Sequence, residues 1–241
     1  MKKLLLTALV ALSAALLVGC GTTGKFVYPA NMSTLVKFGS APVVDKQVAV
    51  LPFDDYRGDE NSCMFGMYVI PLMPFGWGNY ERPDAAQVFL SVPKYDTTPT
   101  EDLAKATAVS FRHSKLFRNV FFTMGGEQEK ADFLLHGRIK EMSYKGKVFT
   151  YGLSIYGPLF WLFGAPAGMS ENKLSIELSM TDKSGKNIWD WSMTAEDSIV
   201  QWMYYRMGHD VRMYSYLYQD GMNRALENLA QKMKEQPELF K

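Results

Sequence analysis

Residues 174–192 read LSIELSMTDKSGKNIWDWS, and their pattern is the clearest structural signal in the chain. Between 174 and 180, apolar residues alternate with polar ones, which is the two-residue period of a strand with one buried face. Residues 182–186 are rich in turn-forming side chains, and residues 187–194, which contain two tryptophans, have the pattern of a returning strand. The stretch therefore predicts an antiparallel hairpin that packs one face against a core.

Two amphipathic helices are predicted on either side of this hairpin. Residues 98–101, Thr-Pro-Thr-Glu, fit a capping box in which Thr98 is the N-cap and Glu101 reaches back to it, and an apolar stripe extends the helix to about Leu116. A second apolar stripe at helical spacing runs almost to the end of the chain and begins as early as Val211.

Shorter strands complete the pattern. Apolar runs predict strands at 48–53, 119–122 and 131–144, and we interpret Lys-Gly-Lys at 145–147 as the turn that ends the last of them. The order of strand, helix, strand, strands and helix predicts a single α/β sandwich of a mixed sheet with helices packed on one face.

The first twenty residues have the layout of a secretory signal peptide. Lys2 and Lys3 precede an apolar run at 4–18, which is too short to be a permanent membrane-spanning helix. Residues 17–20, Leu-Val-Gly-Cys, resemble the bacterial lipobox, and this resemblance implies cleavage before Cys20 and attachment of lipid to its sulfur. The alternative is an ordinary signal peptide that contains a cysteine.

The lipobox divides the chain into a signal peptide at 1–19, a lipidated cysteine with its tether at 20–45, and an α/β domain at 46–241. Two or more acyl chains anchor a protein stably to a bilayer. Residue 21 is Gly, not the Asp that retains lipoproteins at the inner membrane of Gram-negative bacteria. Resemblance to that sorting rule predicts the periplasmic face of the outer membrane, with the inner membrane as the alternative.

The charge balance excludes a nucleic-acid-binding protein. The 241 residues include 26 Lys and Arg against 25 Asp and Glu, and removal of residues 1–19 leaves 24 basic and 25 acidic side chains. Recognition of a phosphate backbone needs a clear surplus of clustered cations. We therefore expect partners other than DNA or RNA.

A family resemblance rests on four stretches and their order. They are VAVLPFDD at 48–55, SKLFRNVFF at 114–122, ADFLLHGRIKEM at 131–142 and the hairpin at 174–192, followed by the final amphipathic helix. This set resembles bacterial envelope lipoproteins whose domain is similar to the TolB amino-terminal domain. That group includes the curli-secretion lipoprotein, the lipoprotein activators of penicillin-binding proteins and the auxiliary lipoproteins of ABC-type transport systems. The resemblance implies a fold and an accessory role, because its motifs are strand and turn patterns without a catalytic signature.

Two segments do not fit this pattern. Residues 63–80 read CMFGMYVIPLMPFGWGNY, and residues 149–168 read FTYGLSIYGPLFWLFGAPAG. Both are rich in aromatic residues, Gly and Pro, and neither contains a charged side chain, although 21% of the chain is charged. Their prolines argue against a continuous helix. Such insertions are not typical of solvent-facing loops.

Three interpretations of the insertions are open. Each segment could fold back over the core. Alternatively, their side chains form an exposed patch that contacts a membrane or a partner, where Trp and Tyr rings are favoured. The third follows the curli-secretion resemblance, in which each subunit contributes hairpins to an oligomeric barrel, although prolines interrupt the required alternation. The candidate contact residues are Tyr156, Phe160, Trp161, Phe163 and Trp77.

The sequence contains no recognisable catalytic or cofactor motif. His113, His136 and His209 are not spaced as ligands on one helix face, and we expect structural or surface roles for them. We interpret the acidic cluster at 54–60 as turn chemistry, with a Ca²⁺ or paired-carboxylate site as the alternative. Cys63 remains as a single thiol once Cys20 is lipidated, and we expect it to be buried as a small apolar residue.

Two aromatic runs near the end of the chain, at 204–206 and 214–218, are candidates for a peptide or glycan surface. Helix packing is the interpretation we prefer for both.

These features predict a non-catalytic accessory or scaffold lipoprotein of an envelope assembly or transport system. Its expected partners are a membrane, through Cys20, and an envelope protein, with no cofactor, metal or nucleic acid. The alternative is a subunit of an oligomeric secretion channel in the outer membrane, and the sequence leaves the oligomeric state open. An enzyme that uses the carboxylates at 54–60 ranks last.

Overall fold

The computed structural model describes residues 23–241, except 87, 88, 91 and 93. Cys20 and the predicted signal peptide lie outside the described residues, so lipid attachment at Cys20 stays a prediction. Within the described part of the chain, no helix has both the length and the apolar character needed to cross a membrane.

The described chain contains ten strands and three α-helices. The strands are β1 (Gly24–Lys25), β2 (Val44–Val50), β3 (Asp54–Asp55), β4 (Asn61–Met64), β5 (Phe75–Tyr80), β6 (Tyr95–Asp96), β7 (Phe117–Phe122), β8 (Phe133–Phe149), β9 (Pro166–Asp182) and β10 (Asn187–Trp202). The helices are α1 (Pro99–Ser114), α2 (Pro158–Leu162) and α3 (Met213–Glu235).

Eight of these strands form one mixed sheet. Its main order is β10-β9-β8-β2-β7, in which β8, β9 and β10 are antiparallel neighbours and β2 runs parallel to both β7 and β8. Helix α1 packs against β7 and β2, and α3 packs against β9, β10 and α1. Both long helices therefore cover the same face of the sheet, and the predicted α/β fold with a mixed sheet is confirmed.

The predicted hairpin is present, and it is longer than the sequence pattern indicates. The four alternating apolar residues from Leu174 to Met180 are buried, as is Trp189, whose indole N–H donates to the Asn228 side chain on α3 at 2.9 Å. Asp190, between the two tryptophans, is exposed. Pairing of β9 with β10 continues to Trp202 opposite Pro166, well beyond the alternating stretch.

The turn predicted at 145–147 is wrong, because β8 runs straight through it to Phe149. Gly146 is paired with Gly78 on β5 and with Ser170 on β9. A Cβ atom at Gly146 would lie 2.4 Å from the hydroxyl oxygen of Tyr144. The glycine at this position is therefore required by close packing within a strand and not by a turn.

Helix α1 begins where the sequence places it, but its cap differs from the predicted capping box. Thr98 is the N-cap residue, yet its side chain makes no capping hydrogen bond. The Asp102 carboxylate instead accepts from the Thr98 backbone N–H and from the Thr97 hydroxyl, both at 2.8 Å. Glu101 is free to pair with Lys105 at 2.7 Å.

The described part of the predicted tether, residues 23–45, packs against the domain. Strand β1 pairs with β6. The Tyr28 ring lies edge-on to Tyr218 of α3, with ring centroids 5.6 Å apart. Asn31 and Gln219 exchange two hydrogen bonds, at 3.0 and 2.7 Å. The segment thus supplies aromatic and polar contacts to α3 and does not stand off as a spacer.

Candidate functional site

The end of the sheet at which β8 finishes, near Phe149, is built from the two insertions. The last six residues of β8 pair with β5, which also pairs with β4. Three segments connect or extend the strands at this end, namely residues 64–74, 150–165 and 203–207. We call the surface that they form the apolar tip.

Backbone hydrogen bonds join the first two segments of the apolar tip. The Leu72 N–H donates to the Gly152 carbonyl at 2.9 Å. The Thr150 N–H donates to the Pro74 carbonyl at 2.9 Å, and the Thr150 hydroxyl donates to the Met73 carbonyl at 2.6 Å. The two loops therefore satisfy one another's polar groups and form one unit.

Two side-chain hydrogen bonds add to those between the two loops. The Ser154 hydroxyl donates to the Val69 carbonyl, and the Tyr204 hydroxyl donates to the Leu162 carbonyl at 3.3 Å. The second bond attaches the 203–207 segment to the insertions. The segment 150–165 is thus bonded to both of the others.

Most of the large apolar side chains that the described residues leave exposed lie on the apolar tip. It holds 17 of 24, with five between 64 and 72, eight between 151 and 163, and four between 203 and 207. Leu72 and Phe163 are each 88% exposed. Contiguous exposed apolar surface of this kind marks a contact site in soluble domains.

The structure brings together four of the five contact residues predicted from sequence. Tyr156, Phe160 and Phe163 are exposed on the tip, and Trp161 is half-buried, with its indole N–H donating to a backbone carbonyl of β8 at 3.0 Å. Trp77 lies apart from them, half-buried on β5 between β4 and β8.

Many side chains of the insertions are exposed, as the second interpretation expects, whereas contact with a membrane or a partner and the oligomeric barrel stay predictions. Phe65 is the residue from 64–74 that joins the buried core cluster, while most other large side chains of the tip face outward. The aromatic runs near the end of the chain are divided. Tyr204 and Tyr205 belong to the exposed tip, whereas Tyr214 and Tyr218 are buried in α3 as expected for helix packing.

The apolar tip contains one charged residue, Arg206, whose guanidinium lies over the Tyr205 ring at 5.0 Å. At its border, the Lys147 ammonium lies over the Phe75 ring at 5.3 Å. A cation placed over an aromatic face is attracted by the ring's electrostatic field. The tip is therefore apolar with a positive margin and carries no carboxylate.

A buried hydrogen bond holds the base of the tip. The Tyr144 hydroxyl on β8 donates to the Asp210 carboxylate at 3.2 Å, and both residues are buried. Burial, together with the neighbouring Asp210 charge, raises the pKa of Tyr144 well above its usual range. This contact fixes the chain that follows residues 203–207 against the long strands.

The acidic cluster at 54–60 forms no common site. Asp55 accepts hydrogen bonds from Arg57 at 2.9 Å and from Arg82 at 2.7 Å, whereas Asp54 is exposed. The hydrogen bonds from Arg57 hold the pKa of Asp55 at about 2. Among the described residues, no group of three or more His, Cys, Asp and Glu side chains is arranged to hold a metal ion.

The prediction that Cys63 is buried is wrong, because the thiol lies exposed on β4. The strand consists of four exposed residues and pairs only with β5 within the described sheet. Among the described residues no further strand covers β4, so an apolar residue type at position 63 does not imply burial.

The sequence matches no protein-family model, and it matches no curated protein. Among solved structures, a PelC dodecamer from Paraburkholderia phytofirmans is 15% identical and aligns over 78% of this chain and 92% of its own, with a TM-score of 0.39. A minor lipoprotein from Acinetobacter baumannii is 12% identical and aligns over 81% of this chain and 96% of its own, with a TM-score of 0.31. These values are too low for the neighbours' assemblies or roles to be transferred to this chain.

Proposed function

We propose that the chain is a lipid-anchored accessory or scaffold protein of an envelope assembly or transport system, which acts by contact and not by catalysis. Its anchor is Cys20, and its place is the periplasmic face of the outer membrane. The observation that carries the proposal is the apolar tip, an exposed surface made largely of the two insertions.

The predicted anchor and the apolar tip support the same role. A diacylated or triacylated Cys20 would hold the domain on a bilayer essentially permanently, since two acyl chains already give stable binding. The contact surface would then work at a membrane, where its partner's local concentration is high.

The anchoring step is tested with radioactive palmitate in cells that express the full chain. We expect the wild-type protein to be labelled and to fractionate with the outer membrane, and the Cys20→Ala variant to lose both properties. Cys63→Ala is the matched control, because it removes the other cysteine of the chain and should label as the wild type does. Equal labelling of wild type and Cys20→Ala would contradict the proposal.

A secretion-channel subunit is the second candidate. The observation that favours it is β10, a 16-residue strand that pairs only with β9 among the described residues and so offers a long outer edge to another copy. Extraction in mild detergent followed by mass measurement separates the two candidates. A ring of many copies would favour the channel, whereas a monomer would exclude it and leave the accessory role.

A further inference from the structure

We propose that the apolar tip docks into the interface of the phospholipid bilayer that holds the lipid on Cys20. The inference rests on the proposed function, because it takes Cys20 as the anchor. It adds a second membrane contact, made by the folded domain itself, and it assigns a bilayer as the ligand of the tip.

The first argument is where the described chain begins. Thr23 is exposed and lines a groove together with Met207 and Gly208, at the end of the third tip segment. Cys20 precedes Thr23 by three residues, which span at most about 11 Å. The lipid on Cys20 is therefore tethered within about 11 Å of Thr23, on the side of the domain where Met207 lies.

The second argument is that the described residues after the anchor are packed against the domain. Residues 23–45 pack on α3 and β6. They are therefore not available as an extended spacer that would let the domain stand away from the bilayer. Met207, which lines the groove with Thr23, belongs to the same short segment as Tyr204, whose hydroxyl donates to the Leu162 carbonyl at 3.3 Å. A domain held in this way keeps its apolar tip at the membrane surface.

The third argument is the chemistry of the tip. Tyr and Trp rings, which combine an apolar body with a polar edge, are enriched at membrane interfaces. The tip contains five tyrosines and one tryptophan, namely Tyr68, Tyr151, Tyr156, Tyr204, Tyr205 and Trp161. With Arg206 on the tip and Lys147 beside it, the charges present are those that lipid phosphates attract.

The backbone limits how deeply the tip can enter. Irregular backbone is not tolerated in the hydrocarbon core of a bilayer, where its polar groups would lack partners. The hydrogen bonds between the loops satisfy only some of these groups, so the expected position is the headgroup region. Leu72 and Phe163, the two most exposed tip residues, would reach the acyl boundary.

The test uses lipidated full-length protein reconstituted into vesicles of phosphatidylethanolamine and phosphatidylglycerol with brominated acyl chains. Trp161 is the reporter, and its contribution is obtained by difference from a Trp161→Phe variant. We expect brominated lipid to quench the Trp161 emission. In the Leu72→Asp/Phe163→Asp variant we expect that quenching to be lost, since two charges oppose insertion.

Met124→Asp is the matched control. Met124 is 69% exposed and lies two residues after the end of β7. The last residue of β7, Phe122, is paired with Val50 of β2, and Val50 is paired with Leu135 of β8. Leu135 is 14 residues before the tip end of β8, a distance of about 45 Å along the strand. This variant should therefore keep the wild-type quenching. Absence of Trp161 quenching in the wild type, or equal quenching in the tip variant, would overturn the docking.

A second arm places a photoreactive phenylalanine analogue at position 163 of the full chain in living cells. A phospholipid adduct is the expected result. A protein adduct without a lipid adduct, or no adduct at all, overturns docking into the bilayer. Because palmitate labelling and fractionation test the anchor separately, a failed docking with a labelled, membrane-bound protein leaves the proposed function standing, and loss of labelling removes both.

Discussion

Arg57 shows how one buried charge organises a polar loop. Its side chain is 2% exposed, and it donates to Asp55 at 2.9 Å and to Asp84 at 2.5 Å. A buried cation is tolerated when its hydrogen-bonding capacity is filled by carboxylates. The sequence predicts a turn at the acidic run 54–60, whereas the structure has strand β3 at Asp54–Asp55. Asp84, which also pairs with Arg57, is 27 residues away, and no local pattern predicts that pairing.

Acid should weaken the fold through Asp55. Hydrogen bonds from Arg57 hold the folded-state pKa of Asp55 at about 2, against about 3.9 in an unfolded chain. The stabilisation is therefore present above about pH 4 and is lost as the pH falls through about 2. We expect Asp55→Asn to lower the free energy of unfolding at neutral pH by about 1–2 kcal/mol, because Asp55 is partly exposed.

Urea unfolding at pH 7, 4 and 2 measures this effect. The Asp55→Asn variant should lose less stability than the wild type between pH 4 and pH 2, and the exposed neighbour changed as Asp54→Asn should follow the wild type. Parallel pH profiles for wild type and Asp55→Asn would show that Asp55 is not the linked group.

At the scale of elements, strand β8 determines where the tip lies. It pairs along one side with β9 and along the other with β2, β3 and β5 in succession. Because β8 is this long, the sheet extends from the core to the insertions. A bulge near Lys140 changes which residues face the core, from Ile139 to Met142. Gly146 then permits β8 to continue under Tyr144.

Substitution of Gly146 tests this account of β8. In Gly146→Ala the new Cβ would clash with the buried Tyr144 hydroxyl, and we expect a loss of about 1–3 kcal/mol in the free energy of unfolding. Gly126→Ala is the control, since nothing lies within 4 Å of a Cβ there. Equal urea midpoints for Gly146→Ala and the wild type would mean that Tyr144 moves aside without cost.

Strands β8 and β9 show what the sequence can and cannot predict. Alternation in 174–180 identifies the hairpin, because a two-residue period is a local property. The predicted end of β8 is wrong, because Lys-Gly-Lys at 145–147 is compatible with either a turn or a close contact within a strand, and tertiary packing decides between them. Composition identified both insertions, but apolar composition does not distinguish a buried loop from an exposed one. Residues 203–207 form a short segment that contains Arg206, so composition alone does not assign them to the same surface.

At the scale of the whole molecule, buried tyrosines join the amino-terminal segment to the helices. Tyr28 shares a hydrogen bond with Ser110 of α1 and packs on Tyr218, whose hydroxyl donates to the Leu103 carbonyl at 2.7 Å. Burial raises the pKa of Tyr28 to about 12 and the pKa of Tyr218 well above its usual range. The contact between residues 23–45 and the domain therefore depends on neutral hydroxyls.

Alkaline pH should consequently loosen the whole fold, beginning with this contact. Unfolded tyrosines ionise near pH 10, so the stabilisation from Tyr28 is complete below about pH 10 and is lost as the pH rises through about 12. We expect urea midpoints to fall between pH 9 and pH 12, and to fall less in Tyr28→Phe, which should start about 1 kcal/mol lower at neutral pH because it lacks the hydroxyl. Tyr216→Phe, at a side chain 52% exposed, should match the wild type throughout. If the urea midpoint of Tyr28→Phe fell with pH as steeply as that of the wild type, other groups would cause the loss of stability. The amino-terminal segment would then not be held through the Tyr28 hydroxyl.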